Sequence, residues 1–376
     1  MSEAGPATNL QGDLLKRAVT TRNDVEEIFL VPVLVVAVAI VLGGLIMLAT
    51  GIAPSRIGIA FAALFTGSVG SIGALSETLT AATPVTLAAL GVALAFRAGL
   101  FNIGAEGQIL MGGMAATIVG FAVTGLPPLL HVTLALLAAA LVGALWGALA
   151  GWLKAATGAH EVITTIMLNL ISFRLVDYLL RTPPVQRAGR ADPISETILP
   201  SAELPRILTA IDPNLRIHAG FLIAVVLVFA IHFLLFRTTR GFEFRAAGLN
   251  PDAARYAGMR SGLIVVIVMA IAGGLAGLAG ANQILGVLDR ASPGFSSNIG
   301  FDAIAVALLG RSHPVGVLFA GLLFGALEAG GRQMQVSAAV SIDLIAIIQA
   351  LIIVFIAAPA LVRFLFPFAF GKEARR

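Results

Sequence analysis

The chain has 376 residues, of which 58% are hydrophobic and only 12% charged, so it is far more apolar than an ordinary soluble domain. Its formal net charge of +4 comes from 24 basic and 20 acidic residues, and no basic cluster is dense enough to indicate a nucleic-acid-binding protein. The absence of cysteine excludes disulfides, thiol catalysis and thiolate metal sites.

Long uncharged runs predict an all-α integral membrane protein, a polytopic helix bundle of about 9–10 transmembrane helices. The first run follows a mixed-charge segment that does not have the composition of a cleaved signal peptide. Hydropathy places the spans at residues 29–49, 84–99, 103–124, 129–153, 161–180, 218–236, 262–284, 314–332 and 342–366. A short apolar piece at 302–310 is expected to be a half-helix or re-entrant segment. Residues 57–75 are expected to form a helix at the outer surface or packed against the bundle.

The stretch FRAGLFNIGAEGQILMGG, residues 96–113, places polar side chains within apolar sequence. Asn102 is predicted to cap a helix that begins at Ile103, with Glu106 in its first turn, where the helix dipole favours a carboxylate. This pattern is typical of a helix that is broken and restarted at membrane depth, as transporters use to present polar groups to a solute. Because an ionisable group there costs about 2.5–3.5 kcal/mol, Glu106 is a functional candidate. The alternative is an Arg97–Glu106 ion pair that holds two helix ends.

A second polar stretch lies between two long spans, at residues 237–261. Asn250 followed by Pro251 is typical of an N-cap with proline at the first helical position, and Gly258 is suited to the C-terminal end. The sequence therefore predicts a short capped helix at 250–258, with small residues and the Tyr256 ring, that could seat in a groove of another protein. A solvated connector with similar capping is the alternative.

These stretches resemble those of a known family, the membrane permease subunits of ABC importers for simple sugars and nucleosides. FRAGLFNIGAEGQ (residues 96–108) is similar to the signature of the longer, nucleoside-type permease, with its GAEGQ block. RAAGLNPDAARYAGM (residues 245–259) is similar to the family's cytoplasmic coupling segment, and GFDAIAVALLGRSHPVG (residues 300–316) to a third block. The resemblance extends from about residue 83 to the C terminus.

The resemblance implies a transport subunit that rocks between outward and inward access and is not itself an enzyme. ATP and Mg²⁺ would bind a separate ATPase subunit, in keeping with the absence of a GxxxxGK[ST] phosphate loop, so no cofactor is expected on this chain. The other expected partners are a second permease in a heterodimer, an extracytoplasmic substrate-binding protein, a small-molecule solute and membrane lipid, but no nucleic acid.

The resemblance also implies an orientation in a bacterial plasma (inner) membrane with both termini cytoplasmic. The expected parts are a cytoplasmic segment at 1–28, one transmembrane permease domain at 29–370 and a cytoplasmic tail at 371–376. The domain would carry an external loop at 181–217 and a cytoplasmic coupling loop at 237–261. The residues expected to couple to the ATPase are Gly248, Asn250, Pro251, Ala254, Arg255, Tyr256 and Gly258.

By analogy, the broken regions around Asn102 and Phe301 should face each other across the translocation path. A neutral, hydroxyl-rich solute with a heteroaromatic base calls for amide groups and apolar walls. The path candidates are Phe101, Asn102, Glu106, Gln108, Asn169, Asn282, Gln283 and Phe301. For Asn169 and Gln283 the alternative is an interhelical hydrogen bond.

Other polar residues have structural interpretations. Asp302 is predicted to cap the half-helix, with Gly310 at its end and Pro314 opening the next helix. Glu328 and Arg332, four residues apart on one helix face, are predicted to pair. The five histidines show no metal-ligand spacing, so no metal site is predicted, and no catalytic residues can be assembled.

Several functions remain open at this point. Within the importer class, ribose-like sugars, a flavin or a branched-chain amino acid are alternatives to nucleosides. An ion-coupled secondary transporter is a different class, for which Glu106 and Asp302 would be the coupling carboxylates. An intramembrane enzyme has little support, because no nucleophile and base can be paired.

Overall fold

The computed structural model describes residues 34, 37–341 and 343–357, and there the regular secondary structure is helical apart from two isolated β-bridges. The helices are α1 (Ala37–Ala49), α2 (Pro54–Val69), α3 (Ile72–Arg97), α4 (Ala105–Ala122), α5 (Pro128–Thr157), α6 (Glu161–Leu180), α7 (Gly220–Arg237), α8 (Thr239–Leu249), α9 (Pro251–Tyr256), α10 (Ser261–Gln283), α11 (Ile299–Leu309), α12 (Pro314–Ala338) and α13 (Asp343–Ala357). A π-helical turn, Ile284–Leu288, continues α10.

The described residues fall into two compact units, one of residues up to 57 with those from 346 onward, the other of residues 58–345. In the first unit, Gly43 of α1 lies against the side chain of Ile348. In the second, α10 packs against α3, α4 and α5, and α3 packs against α11 and α12. Most of α3 is buried, whereas α5, α6 and α7 each bury one stripe of residues, so α3 is an interior helix.

Small residues bring the central helices into backbone contact. A Cβ at Gly277 of α10 would overlap the Ala139 carbonyl of α5, and a Cβ at Gly112 of α4 would overlap Gly277. Gly143 and Gly273 face each other in the same way. The glycines that recur every four residues on α5 and α10 therefore allow these helices to pack closely, as small residues at this spacing do in membrane proteins.

Six helices in the described part of the chain are long and apolar enough to cross a membrane: α3, α5, α6, α7, α10 with its π-helical turn, and α12. The helices α1 and α11 are apolar but shorter, and α11 would be about 16 Å long at 1.5 Å per residue. These helices confirm the all-α polytopic membrane bundle and the short segment expected near 302–310. The count of 9–10 crossings stays a prediction.

Two predicted boundaries are wrong. The span expected at 84–99 is α3, which begins at Ile72 and continues through Pro84. Residues 57–75 are not one helix, because α2 ends at Val69 and Ser71 caps α3 by accepting the Ala74 N–H at 3.0 Å. The spans expected at 29–49 and 342–366 both extend beyond the described residues.

Candidate functional site

The turn between α3 and α4 is closed by two amide side chains. Asn102 Nδ2 donates to Gln108 Oε1 at 3.1 Å, and Gln108 Nε2 donates to Asn102 Oδ1 at 3.2 Å. Asn102 Oδ1 also accepts the Gly104 N–H at 3.0 Å. The predicted cap on a helix beginning at Ile103 is wrong, because α4 begins at Ala105. Asn102 instead orders the residues that precede the helix.

Asn169 of α6 contacts the start of α4. Its Oδ1 accepts the Gly107 N–H at 2.8 Å, and its Nδ2 donates to the Ile103 carbonyl at 2.9 Å. The first N–H groups of a helix have no partner within the helix, so Asn169 supplies one from a neighbouring element. The interhelical hydrogen bond considered for Asn169 is therefore present. Asn102, Gln108 and Asn169 are three buried amides around the start of α4, here called the Asn102 cluster.

Glu106 joins α4 to α11. Its carboxylate oxygens accept the Ser296 hydroxyl and the Gly300 N–H, the latter at 2.7 Å. Glu106 is 1% exposed and lies in the first turn of α4, while Gly300 lies in the first turn of α11. Two helix N-termini thus direct their partial positive charge at one carboxylate. The two regions expected to face each other, around Asn102 and Phe301, are linked through this carboxylate.

Arg97 binds elsewhere, so the alternative of an Arg97–Glu106 ion pair is wrong. Its Nε donates to the Ser312 carbonyl at 2.9 Å and its Nη2 to the Arg311 carbonyl at 3.1 Å. The guanidinium also lies 5.8 Å from the centre of the Phe236 ring. Arg97 therefore fastens the end of α3 to the turn between α11 and α12.

Asp302 does not cap α11, contrary to the prediction. The helix begins at Ile299, and its N-cap residue is Asn298, with φ of 63° and no side-chain capping bond. Glu106 takes over this role by accepting the Gly300 N–H across 194 residues of sequence. The predicted end at Gly310 and the start of α12 at Pro314 are confirmed.

The other amide candidates lie at the end of α10. Asn282 is 2% exposed, and its Oδ1 has no hydrogen-bond partner among the described residues. Gln283, half-buried, is the last residue before the π-helical turn, a feature often found at functional sites. Gly220 lies beside both Asn282 and His218, where a Cβ would overlap the Asn282 amide. No hydrogen bond between described residues joins this group to the Asn102 cluster.

His218 is a buried histidine beside this group. Burial, with smaller contributions from Arg216 and Arg206, lowers the pKa of His218 to about 4. Its Nδ1 accepts the Gly220 N–H at 3.3 Å, and its buried Nε2 has no partner in the described residues. The end of α10 therefore combines a buried amide and a buried imidazole.

The two phenylalanines expected as apolar walls are both 42% exposed. The centre of the Phe101 ring lies 4.9 Å from the centre of the Phe96 ring. The backbone N–H of Phe101 donates to Glu161 Oε1 at 3.5 Å. Phe301 follows Gly300, which touches Glu106. Both phenylalanines are close in sequence to the polar residues, and their exposed side chains do not form a closed wall.

The predicted short helix is present as α9. Asn250 caps it by accepting the N–H groups of Asp252 at 3.1 Å and Ala253 at 3.0 Å, and Pro251 is its first residue. Gly258 follows with φ of 83°, which suits glycine. Ala254 is buried, whereas Arg255 is exposed and Tyr256 is 94% exposed. The coupling role of these residues stays a prediction.

The turn before α4 packs directly on the end of α8. A Cβ at Gly99, whose φ is 70°, would lie 2.9 Å from the Gly248 Cα. A Cβ at Gly248 would lie 2.5 Å from the Arg97 carbonyl oxygen. Only glycine at both positions allows this contact. It connects the two polar stretches singled out in the sequence.

A group of rings and arginines beside this contact was not predicted. The Phe236 ring lies 5.2 Å from the Arg245 guanidinium and 5.2 Å from the His313 ring, which stacks on it. The side chains of this group belong to α7, α8 and the residue before α12. The group lies at the end of α3, where Arg97 approaches the Phe236 ring. Its members come from three separate stretches, so no single motif indicates it. Within residues 37–341 and 343–357, no group of three or more His, Asp or Glu could hold a metal ion.

The family to which this chain belongs follows from comparison with known proteins. Residues 74–357 match the family described as the branched-chain amino acid transport system / permease component. The chain is a member of this permease family. The permease is 39% identical to a guanosine ABC transporter permease of Bacillus subtilis, over 89% of this chain and 94% of that protein. No solved structure matches it.

Two further relatives match a similar share of the chain. The permease is 38% identical to a glucose ABC transporter permease of Haloferax volcanii, over 86% of each chain. It is 34% identical to a nucleoside ABC transporter permease of Lactococcus lactis, over 92% of this chain and 95% of that protein. The resemblance inferred from residues 96–108 and 245–259 is confirmed, and the permease is a membrane-embedded subunit of the ABC transporter class.

Proposed function

We propose that the permease forms half of the translocation path of an ATP-driven importer of nucleosides. Two relatives that match almost the whole chain are named for guanosine and for nucleosides. The glucose permease, at a similar identity, makes a simple sugar the second candidate substrate. Both solutes are neutral and hydroxyl-rich, which suits a path lined by amides.

The observation that carries the mechanism is the contact between Gly99 and Gly248. The α8–α9 segment that contains Gly248 would receive the movement of a separate ATPase subunit. Backbone atoms of this segment touch the turn that leads into Asn102 and Glu106. Glu106 in turn holds the start of α11. A displacement of α9 would therefore reach both polar helix starts.

The α9 segment has the surface that such a partner would use. Leu249 and Tyr256 are 88% and 94% exposed, while Ala254 anchors the helix to the bundle. A few side chains, with tyrosine prominent among them, commonly provide most of the affinity of an interface when they fill a pocket of the partner. We propose that these two side chains seat in a groove of the ATPase, which carries the ATP and Mg²⁺.

The remaining parts of the assembly follow from this assignment. A second, different permease would complete the path, and an extracytoplasmic binding protein would deliver the solute. The coupling loop at 237–261 and both termini would face the cytoplasm of a bacterial cell, with the loop at 181–217 outside. We propose no catalytic residue on this chain.

The double variant Leu249→Ala/Tyr256→Ala tests the coupling. We expect at least a tenfold loss of nucleoside uptake and of solute-stimulated ATP hydrolysis by the assembled importer in lipid, because the anchors of the interface are removed. The matched control is Leu129→Ala, an apolar side chain 79% exposed at the start of α5. Competition of labelled guanosine uptake by glucose, ribose and riboflavin separates the candidate substrates.

An ion-coupled transporter predicts the opposite outcome. Uptake by the permease alone in proteoliposomes, driven by an ion gradient without an ATPase, would refute the proposed function. Full ATP-driven uptake by the double variant with the ATPase still bound would instead refute the coupling role of Leu249 and Tyr256 and leave ATP-driven import intact.

A further inference from the structure

A cavity of about 690 Å³ lies away from the residues of the proposed path. It is an open cavity lined by α2, the start of α3, the second half of α12 and Arg216 from the loop before α7. Its volume falls within the range of about 300–1,000 Å³ that is usual for small-molecule sites. None of the path candidates lines it.

The charged side chains that line the cavity belong to a network of ion pairs. Glu77 Oε2 accepts Arg216 Nη1 at 3.2 Å and Arg332 Nη1 at 3.4 Å, and Arg332 Nη2 donates to Glu328 Oε1 at 3.1 Å. The predicted Glu328–Arg332 pair is thus confirmed as part of a larger set. Glu77, Arg216 and Arg332 line the cavity, and Glu328 does not line it but pairs with Arg332. The connected network of two arginines and two glutamates therefore has no net charge. A neutral solute fits it best.

The network leaves hydrogen-bonding capacity for such a solute. Both ion pairs of Glu77 use Oε2, which leaves Oε1 as an acceptor. The Ser71 oxygen accepts the Ala74 N–H, so its hydroxyl hydrogen can be donated. Carboxylate acceptors and guanidinium donors held side by side match adjacent hydroxyl groups, which both donate and accept. None of the described lining residues is aromatic, so no ring is available to stack on a nucleobase.

The cavity lies at the opposite end of α3 from the coupling segment. Glu77 and Arg97 are both on this helix, and 20 residues at 1.5 Å each separate them by about 30 Å. Arg97 lies at the Gly248 contact, whereas Arg216 belongs to the loop at 181–217. If the coupling segment faces the ATPase, the cavity opens toward the side from which an importer receives its solute.

We propose that this cavity is a second solute site, which binds the sugar part of the substrate at the entrance of the permease through Glu77, Arg216 and Arg332. The proposal rests on the proposed nucleoside import and assigns the sugar, not the base, to this site. A free pentose and a nucleoside would therefore compete for it, and a free nucleobase would not.

Protection of single cysteines provides the test, because the natural chain has none. Ala74→Cys and Val336→Cys each place a thiol on the cavity wall, and maleimide labelling of the assembled importer is followed without ATP. We expect ribose and adenosine to slow the labelling of both variants, and adenine to leave it unchanged. Ala188→Cys, exposed in the polar loop at 181–217, is the control that no solute should protect.

Glu77→Gln in the Ala74→Cys background tests the network itself. We expect the ribose concentration that gives half protection to rise about tenfold, because the carboxylate that aligns both arginines is lost. Protection by adenine equal to that by adenosine would overturn the proposal, as would labelling that no solute affects in either cysteine variant.

Adenosine uptake by the same cysteine variants separates the two proposals. Uptake without protection would refute the sugar site and leave the proposed function intact. Protection by ribose and adenosine, with uptake of glucose but not of adenosine, would refute nucleoside import and support a sugar-binding entrance. Uptake by a wild-type importer that lacks its ATPase would refute the ATP-driven mechanism alone.

Discussion

Glu106 shows how single residues hold this permease together. Its carboxylate is withdrawn from solvent, yet it accepts a hydroxyl and a backbone N–H while it lies in the first turn of its own helix. Hydrogen bonds to a charged acceptor are stronger than neutral ones and offset the cost of burial. Glu106 therefore has a structural function whatever its part in transport.

Replacement of Glu106 separates these two functions. Glu106→Ala leaves the Gly300 N–H buried without its partner, so we expect a loss of about 1–3 kcal/mol of stability. Glu106→Gln keeps one acceptor oxygen, so we expect it to lose less stability than Glu106→Ala. Thermal unfolding of the purified importer in lipid measures both variants. The control is Asp177→Ala, which breaks an exposed pair with Arg181 and should cost at most about 1 kcal/mol.

Transport by the same variants completes the comparison. If Glu106→Gln is as stable as the natural protein but transports poorly, the carboxylate acts in solute passage. An unchanged melting temperature for Glu106→Ala would contradict the capping role.

At the residue scale, the sequence predicted only those features that depend on residues close together in the chain. Asn250, Pro251 and Gly258 lie where their spacing placed them, because a short helix is capped by its own neighbours. The partners of Glu106 and Asn169 lie far away in sequence, so no spacing rule could identify them. Polar residues within apolar sequence indicated where the candidate site lies, but not which hydrogen bonds its residues make.

At the scale of elements, α10 packs where its glycines allow. Gly277 touches α4 at Gly112 and α5 at Ala139, so three backbones meet around one position. Close approach of this kind gives dispersion contacts that larger side chains would prevent.

Gly277→Leu should separate these helices. We expect a loss of about 1–3 kcal/mol, because the new side chain overlaps backbone atoms that cannot rotate away. Gly262→Ala on the same helix is the control, since a Cβ there meets only Ala155 at an ordinary 3.5 Å. Thermal unfolding in lipid compares the two. Equal stability of Gly277→Leu and the natural protein would contradict the packing described here.

Helix α3 explains why hydropathy misplaced an element boundary. Its first half contains Ser76, Thr78, Thr80 and Thr83, which lower its mean hydropathy, yet all four are buried in protein. Thr80 and Thr83 donate to the carbonyls of Ser76 and Leu79 four residues earlier, so their hydroxyls need no solvent. Hydropathy describes a helix that faces lipid, and α3 mostly faces other helices.

At the scale of the whole molecule, α3 connects the two ends for which we propose functions. Arg97 and the turn beyond it meet the coupling segment, and Glu77 at the other end belongs to the charged network of the cavity. The sequence alone identified the first end through its motifs. The second depends on residues from four separate parts of the chain, which only the fold brings together.

Gly248→Val tests communication along this path. The added side chain would push the coupling segment away from the Arg97 carbonyl. We expect at least a tenfold loss of uptake while the assembled importer still binds its ATPase and hydrolyses ATP, because α9 itself is unchanged. Gly58→Val is the control, since a Cβ at that position meets nothing within 4 Å. Normal uptake by Gly248→Val would exclude this contact from the transport cycle.

The Gly99–Gly248 contact also has a mechanical meaning. Flexible side chains between two moving parts act as a spring that absorbs part of a displacement. At this contact, backbone atoms touch backbone atoms, so the contact can hardly be compressed. A stroke of only a few tenths of an ångström at the coupling segment would therefore arrive at the start of α4 nearly undiminished.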